Sequence, residues 1–453
     1  MTQTPLAGPL EVLELGDGTT APFYVVPFDK AGVPTGPRTL RHLIAAAESG
    51  EFSDLFLFSH GWNNDWPTSL ARYRAFFSQF QRLRQQATMA RPYRPLLVGI
   101  FWPSTALVFG EEKGPRFASP EASDEATGER LAEIDQIAAL LEPSRRAAFY
   151  DLATADRLPP ADALELARLV LPLLQDTEDP SADASDLTAE DLLEIWRTVP
   201  GATEEPEEED DEGFGMAGED ASLREGPAAA GLFSFLDPRK PLRMFTVWKM
   251  KDRAGRVGSA GVADLLRQLL SAAPAMASHL IGHSYGCKVV LSAIVGRQAL
   301  PRNAVSSLLL LQPAINFWAF AENVAGEGFA GGYRDALRVV RQPILSTLSK
   351  HDFALRRSFH LAVTRRKKDL GEVRIAAIGG PERYGALGGW GPRGCPPAEC
   401  ETIPMPAEGE PYPSLRAGSP QIFALEGSEL IAGHGDITTP HTAWALLQQV
   451  LSP

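Results

Sequence analysis

Apolar positions along this chain follow two rhythms. Short, nearly uninterrupted runs occur at Asp54–Ser59 (DLFLFS), Leu96–Trp102 (LLVGIFW), Ala277–Ile281 (ASHLI), Val305–Gln312 (VSSLLLLQ), Pro343–Ser349 (PILSTLS) and Gln421–Leu425 (QIFAL). Continuity of this kind marks strands covered on both faces, and therefore a parallel sheet. Between the runs, spacing changes to three and four. Leu70, Tyr73, Phe76, Phe77, Phe80 and Leu83 share one helical face after Asp65 and Pro67, and Val262, Leu265, Leu266, Leu269 and Leu270 share another. The apolar segment Met244–Trp248 (MFTVW) leads into the second of these. Cys287–Val295 reads as a further helix, and Pro440–Leu451 as the last, with Thr439 as its cap. Near the start, Leu10–Leu15 and Phe23–Phe28 flank Gly16-Asp17-Gly18 and predict an antiparallel hairpin. Strands alternating with helices in this order predict an α/β class: a doubly wound, mostly parallel sheet.

Two segments interrupt the alternation. Residues 104–241 contain helical patterns at Leu131–Leu141, Ala161–Leu174 and Leu187–Trp196, together with a polar, acidic loop at about 201–225. They read as a helical cap inserted between two parts of one core, 1–103 and 242–453. Leu370–Pro420 is dense in Gly and Pro (GGPERYGALGGWGPRGCPP) and reads as a long loop near the strand ends. No internal repeat is present.

Composition alters this picture only locally. The formal net charge is −14, which disfavours nucleic acid or anionic lipid as a partner. The run Glu204–Glu212 (EEPEEEDDE) carries eight of the carboxylates and reads as a solvated loop. Lys251–Arg256 (KDRAGR) reads as the exposed start of a helix, and Arg365–Lys368 (RRKK) as a solvated helix end. Three cysteines cannot build a disulfide framework. Cys287 falls on a helix, while Cys395 and Cys400 bracket a proline-rich loop as thiols without a second metal-ligand pair nearby. The N-terminal stretch has no basic start or apolar core, and nowhere do about eighteen apolar residues run together. A cytoplasmic chain with no membrane insertion is the expectation.

Chemistry concentrates at Gly282–Gly286 (GHSYG), between an apolar strand and an apolar helix. A strand-to-helix turn there forces Ser284 into a strained conformation and brings the helix close beneath, so small residues are needed on both sides. Helix N-termini also favour developing negative charge. His60, Asp352 and His434 fall, like Ser284, beyond the carboxyl ends of strands, where open α/β sheets bind ligands. The aromatics Phe101, Trp102, Trp248, Phe317 and Trp318 lie at or just past strand ends and read mainly as core, with some available to an apolar pocket.

The order strand-HGW, strand-FWPS, GHSYG, strand-SKHD and late GHGDI resembles the α/β-hydrolase superfamily, in particular bacterial members with an HGW oxyanion loop. The resemblance spans roughly residues 10–102 and 243–453. It implies Ser284 as nucleophile, Asp352 as acid and His434 as base, in that chain order, with Glu322 as rival acid and His441 as reserve base. Asp436 is too near His434 in sequence to orient it, and is assigned to bracing the loop. The resemblance also implies an oxyanion hole from the amide of Tyr285 and one from the HGW loop, Trp62 or alternatively Gly61, with His60 packing below that loop.

The resulting expectation is a carboxylesterase or lipase-like serine hydrolase acting on a small-molecule or lipid-like ester, with no metal or organic cofactor. The alternative is an idle scaffold of the same fold that binds a protein partner through the cap.

Overall fold

The computed structural model describes residues 8–15, 18–105, 134–135, 137–175, 187–197, 235–296, 298–359, 385–416 and 420–452. Nine strands form one sheet: β1 (Glu11–Glu14), β2 (Thr20–Pro27), β3 (Asp54–Ser59), β4 (Pro95–Phe101), β5 (Ala277–His283), β6 (Ser307–Leu311), β7 (Ile344–Leu348), β8 (Cys400–Pro404) and β9 (Ile422–Glu426). Their spatial order is β1-β2-β4-β3-β5-β6-β7-β9-β8. Only the hairpin pair β1–β2 is antiparallel, and every other pairing is parallel. The doubly wound α/β class read from the apolar runs is the class observed.

Helices cover both faces. Among the described residues, the helices of nine or more residues are α1 (Pro37–Glu48), α2 (Trp66–Arg84), α3 (Pro143–Ala153), α4 (Pro160–Gln175), α5 (Ala189–Arg197), α6 (Arg239–Val257), α7 (Ala263–Ala272), α8 (Tyr285–Ile294) and α9 (Pro440–Leu451). One core layer joins α1, α7 and α8 to the sheet through residues such as Leu43, Leu266 and Val289. The other joins α2 and α9 through Phe76, Phe77, Phe80 and Leu446. The chain after β3 crosses to β4 on one side, and the chain after β5 crosses to β6 on the other. Such a reversal leaves a crevice outside the carboxyl ends of β3 and β5.

Local chemistry explains the helix starts. The Asp65 carboxylate accepts the Thr68 amide at 2.8 Å ahead of α2. Thr439 and Thr442 form a reciprocal capping box ahead of α9, with Pro440 at its first turn. The sheet is dry throughout its middle: all six residues of β3 are buried.

Several expectations change. Met244–Trp248 lies within α6, and Lys251–Arg256 forms the last turns of that helix, not an exposed start; Asp252 is buried there. Helix continues from α6 through one π-turn, Gly258–Val262, into α7. The turn lets backbone meet backbone, because Gly258 rests against Val289 and Gly261 against Gly32. The Gly- and Pro-rich segment supplies a strand, β8, parallel to β9. Helix α3 has no counterpart among the three patterns in the insertion, whereas α4 and α5 coincide with two of them and residues 137–140 are helical within the third. Helices α3 to α5 share a separate apolar cluster with Leu236, Leu242 and Trp248. Leu131–Ala132–Glu133, the acidic run and Arg365–Lys368 lie outside the described residues. No helix among the described residues is long and apolar enough to cross a membrane.

A Cβ on Gly261 would stand 1.9 Å from the Gly32 carbonyl oxygen. Since both partners are backbone, Gly261→Ala is expected to cost about 3 kcal/mol, read as a lowered urea midpoint.

Candidate functional site

Ser284 stands between β5 and α8 with φ 55° and ψ −123°, a region that side-chain-bearing residues enter only under strain of about 1–3 kcal/mol. The surroundings hold it there. Its amide donates to Leu311 O at 3.0 Å, and its carbonyl accepts from Ala314 at 3.3 Å and Cys287 at 3.1 Å. Close approach demands glycine on three sides. A Cβ on Gly286 would meet Ser59 O at 2.1 Å, one on Gly282 would meet Cys287 Cα at 2.6 Å, and one on Gly61 would meet Ser284 Cβ at 2.7 Å. The helix after β5 therefore packs directly on the end of β3, and the loop after β3 runs against the serine.

The structure brings three of the expected residues together. His434 Nε2 lies 2.8 Å from Ser284 Oγ, and His434 Nδ1 lies 2.7 Å from Asp352 Oδ2. With Nδ1–H given to the carboxylate, Nε2 is left as acceptor for the serine hydroxyl. Asp352 is fully buried, and its other oxygen accepts the Leu355 amide at 3.0 Å. The His434 side chain keeps 29% of its surface exposed, so the arrangement is open to a ligand on one side.

The other candidates do not join this group. Glu322 is exposed, and its amide bonds to Gly394 O. His441 accepts the Glu408 amide at the surface of α9. Asp436 accepts the Ala432 amide at 3.0 Å and so braces the His434 loop. Trp102, Trp248 and Phe317 are core residues.

Two residues that hold the loop carried no sequence signal beyond being polar within apolar surroundings. Gln312, at φ 39° and fully buried, donates from Nε2 to Gly433 O at 3.0 Å and to Asp436 O at 3.3 Å. His283 donates from Nε2 to His434 O at 2.9 Å. Burial, with the His434 and Arg72 charges adding to it, pushes the His283 pKa well below its ordinary value, so the ring is neutral.

The HGW loop is fixed from below. His60 donates from Nδ1 to Gly61 O at 2.8 Å and accepts the Trp102 amide on Nε2 at 3.3 Å, while its ring stacks on Trp102 at 5.4 Å. Asn64 Nδ2 donates to Gly61 O at 3.1 Å and to Trp62 O at 2.7 Å. In a trans peptide the N–H points opposite to the C=O. Tying the Gly61 carbonyl to His60 and Asn64 therefore turns the Trp62 amide away from that buried pair. Among the described residues, no group of three or more His, Cys, Asp or Glu could hold a metal ion. Comparison with protein-family models, curated proteins and solved structures finds no match.

Burial lowers the His60 pKa to about 4 from an ordinary 6.5. Between these values the unfolded chain binds a proton that the folded chain does not, so stability falls as pH falls through this window. The His60 contribution approaches roughly 3 kcal/mol by the lower limit, and His283 acts in the same direction. Urea midpoints are expected to drop steadily between pH 6.5 and 4, whereas a flat profile would show that these rings protonate within the fold.

Proposed function

We propose that this chain is a serine hydrolase of carboxylic esters built on an α/β-hydrolase core. One observation carries the reading: the linear set of contacts from Ser284 Oγ through the His434 imidazole to the buried Asp352 carboxylate, at 2.8 and 2.7 Å, starting from a serine held at positive φ. A serine that only capped α8 would need neither the imidazole nor the strain.

The chemistry follows from these positions. His434 Nε2 takes the proton as Ser284 Oγ attacks the ester carbonyl, and the Asp352 carboxylate stabilises the imidazolium that forms. Negative charge developing on the carbonyl oxygen is met by the amide of Tyr285 at the start of α8 and by that of Trp62, with Gly61 as the neighbouring donor. The imidazolium then protonates the departing alcohol, and water, activated by the same ring, cleaves the acyl-enzyme. This sequence calls for no metal or organic cofactor. The cap is part of the proposal: helices α3 to α5, with their own apolar cluster, roof the serine and select the acyl group.

Hydrolysis of p-nitrophenyl esters graded by acyl length tests the reading. Turnover is expected in the native chain, at background level in Ser284→Ala, and lowered by about 10⁴-fold in Asp352→Asn, in which the imidazole tautomer is no longer fixed. Absence of turnover across the whole series would favour an idle scaffold.

A further inference from the structure

The amino ends of the strands border a half-open cavity of about 520 Å³. Ser53, Arg94, Ala277, Ser306 and Gln342 line it, each at or just before the start of β3, β4, β5, β6 or β7. The length of β5 separates it from Ser284 by roughly 20 Å.

Its charge balance inverts that of the chain. Acidic residues outnumber Lys and Arg by 57 to 43 overall, yet the cavity is lined by Arg91, Arg94 and Arg341 and by no aspartate or glutamate. Arg91 is already neutralised. Its guanidinium bonds both oxygens of the buried Asp54, which also contacts His279 Nε2 at 3.2 Å, and His279 Nδ1 meets Ser307 Oγ at 2.8 Å. Burial disfavours the Asp54 charge, but the bonds from His279 and Arg91 outweigh it and hold the pKa at about 2. This network forms a rigid floor.

The remaining two charges have no such partner. Among the described residues the Arg94 and Arg341 side chains make no hydrogen bond or ion pair. The Arg341 charge nevertheless reaches the floor, where it adds to burial in disfavouring the charged form of His279. Both residues are exposed along the same lining, and an oxyanion bound there can take charge-assisted bonds from both guanidiniums. The consecutive residues Pro274, Ala275 and Met276 form an apolar wall in the same lining. That wall suits an organic body better than a bare ion, and the volume suits a small molecule.

We propose that this cavity binds a small organic phosphate, with the phosphoryl group between Arg94 and Arg341 and the uncharged body along the Pro274–Met276 wall. The site is independent of the ester chemistry at the opposite edge of the sheet.

Isothermal titration calorimetry of the full chain with adenosine monophosphate, glycerol 3-phosphate, adenosine, inorganic phosphate and succinate tests this. At least one phosphate ester is expected to bind more tightly than inorganic phosphate, succinate or adenosine, and to weaken as salt rises. The double variant Arg94→Gln/Arg341→Gln is expected to weaken that binding by about tenfold or more, with the circular dichroism spectrum and the ester hydrolysis rate unchanged. Binding that the double variant leaves intact would overturn the proposal. So would failure of both phosphate esters to bind at millimolar concentration, or tighter binding of succinate.

Discussion

Everything at the carboxyl edge of the sheet depends on one crowded contact, the backbone of Gly286 lying on the end of β3. A Cβ at that position would meet Ser59 O at 2.1 Å and His60 O at 2.5 Å. This approach seats the first turn of α8 against β3, holds Ser284 at positive φ, and leaves Gly61 in contact with the serine from the other side. Strain of this kind persists only where neighbouring structure over-determines the conformation. Here the determinants are backbone bonds on the neighbouring strand and its loop: the Ser284 amide donates to Leu311 O, and the Ala314 amide donates to Ser284 O.

Around that contact, neutral buried polar groups set the loops. Gln312 and His283 bond carbonyls of the His434 loop, and His60 and Asn64 bond those of the HGW loop. Each carries a satisfied donor into a dry region, where an unmet one would be costly. Two loops far apart in sequence are thereby tied down by hydrogen bonds to their own carbonyls. The opposite edge follows another principle, with the Asp54–Arg91 ion pair and His279 at its floor and, at its rim, the Arg94 and Arg341 guanidiniums, which have no partner among the described residues.

Much of this was legible in the residues. Uninterrupted runs such as DLFLFS located the buried strands because a two-sided environment leaves no polar alternation to confuse them. GHSYG, SKHD and GHGDI pointed to the three side chains through the resemblance that their order carries, and each lies past the end of a strand. The rest resisted for physical reasons. MFTVW has the apolar density of a strand but belongs to α6, since short apolar runs do not distinguish a strand from a buried helical turn. CETIP, an edge strand with solvent on one side, has no apolar run at all, so its sequence reads as loop. Gln312 and Asn64 act through long-range bonds to backbone, which leave no periodicity in sequence.

The central claim is that Ser284 is a nucleophile activated by His434. Stoichiometric labelling with a fluorophosphonate, located by peptide mass spectrometry and followed in His434→Gln, tests it most directly. The expected result is one adduct per chain, on Ser284, forming far more slowly once the imidazole is removed. An unlabelled chain, an adduct on another residue, or labelling of Ser284 at the same rate without His434 would contradict it.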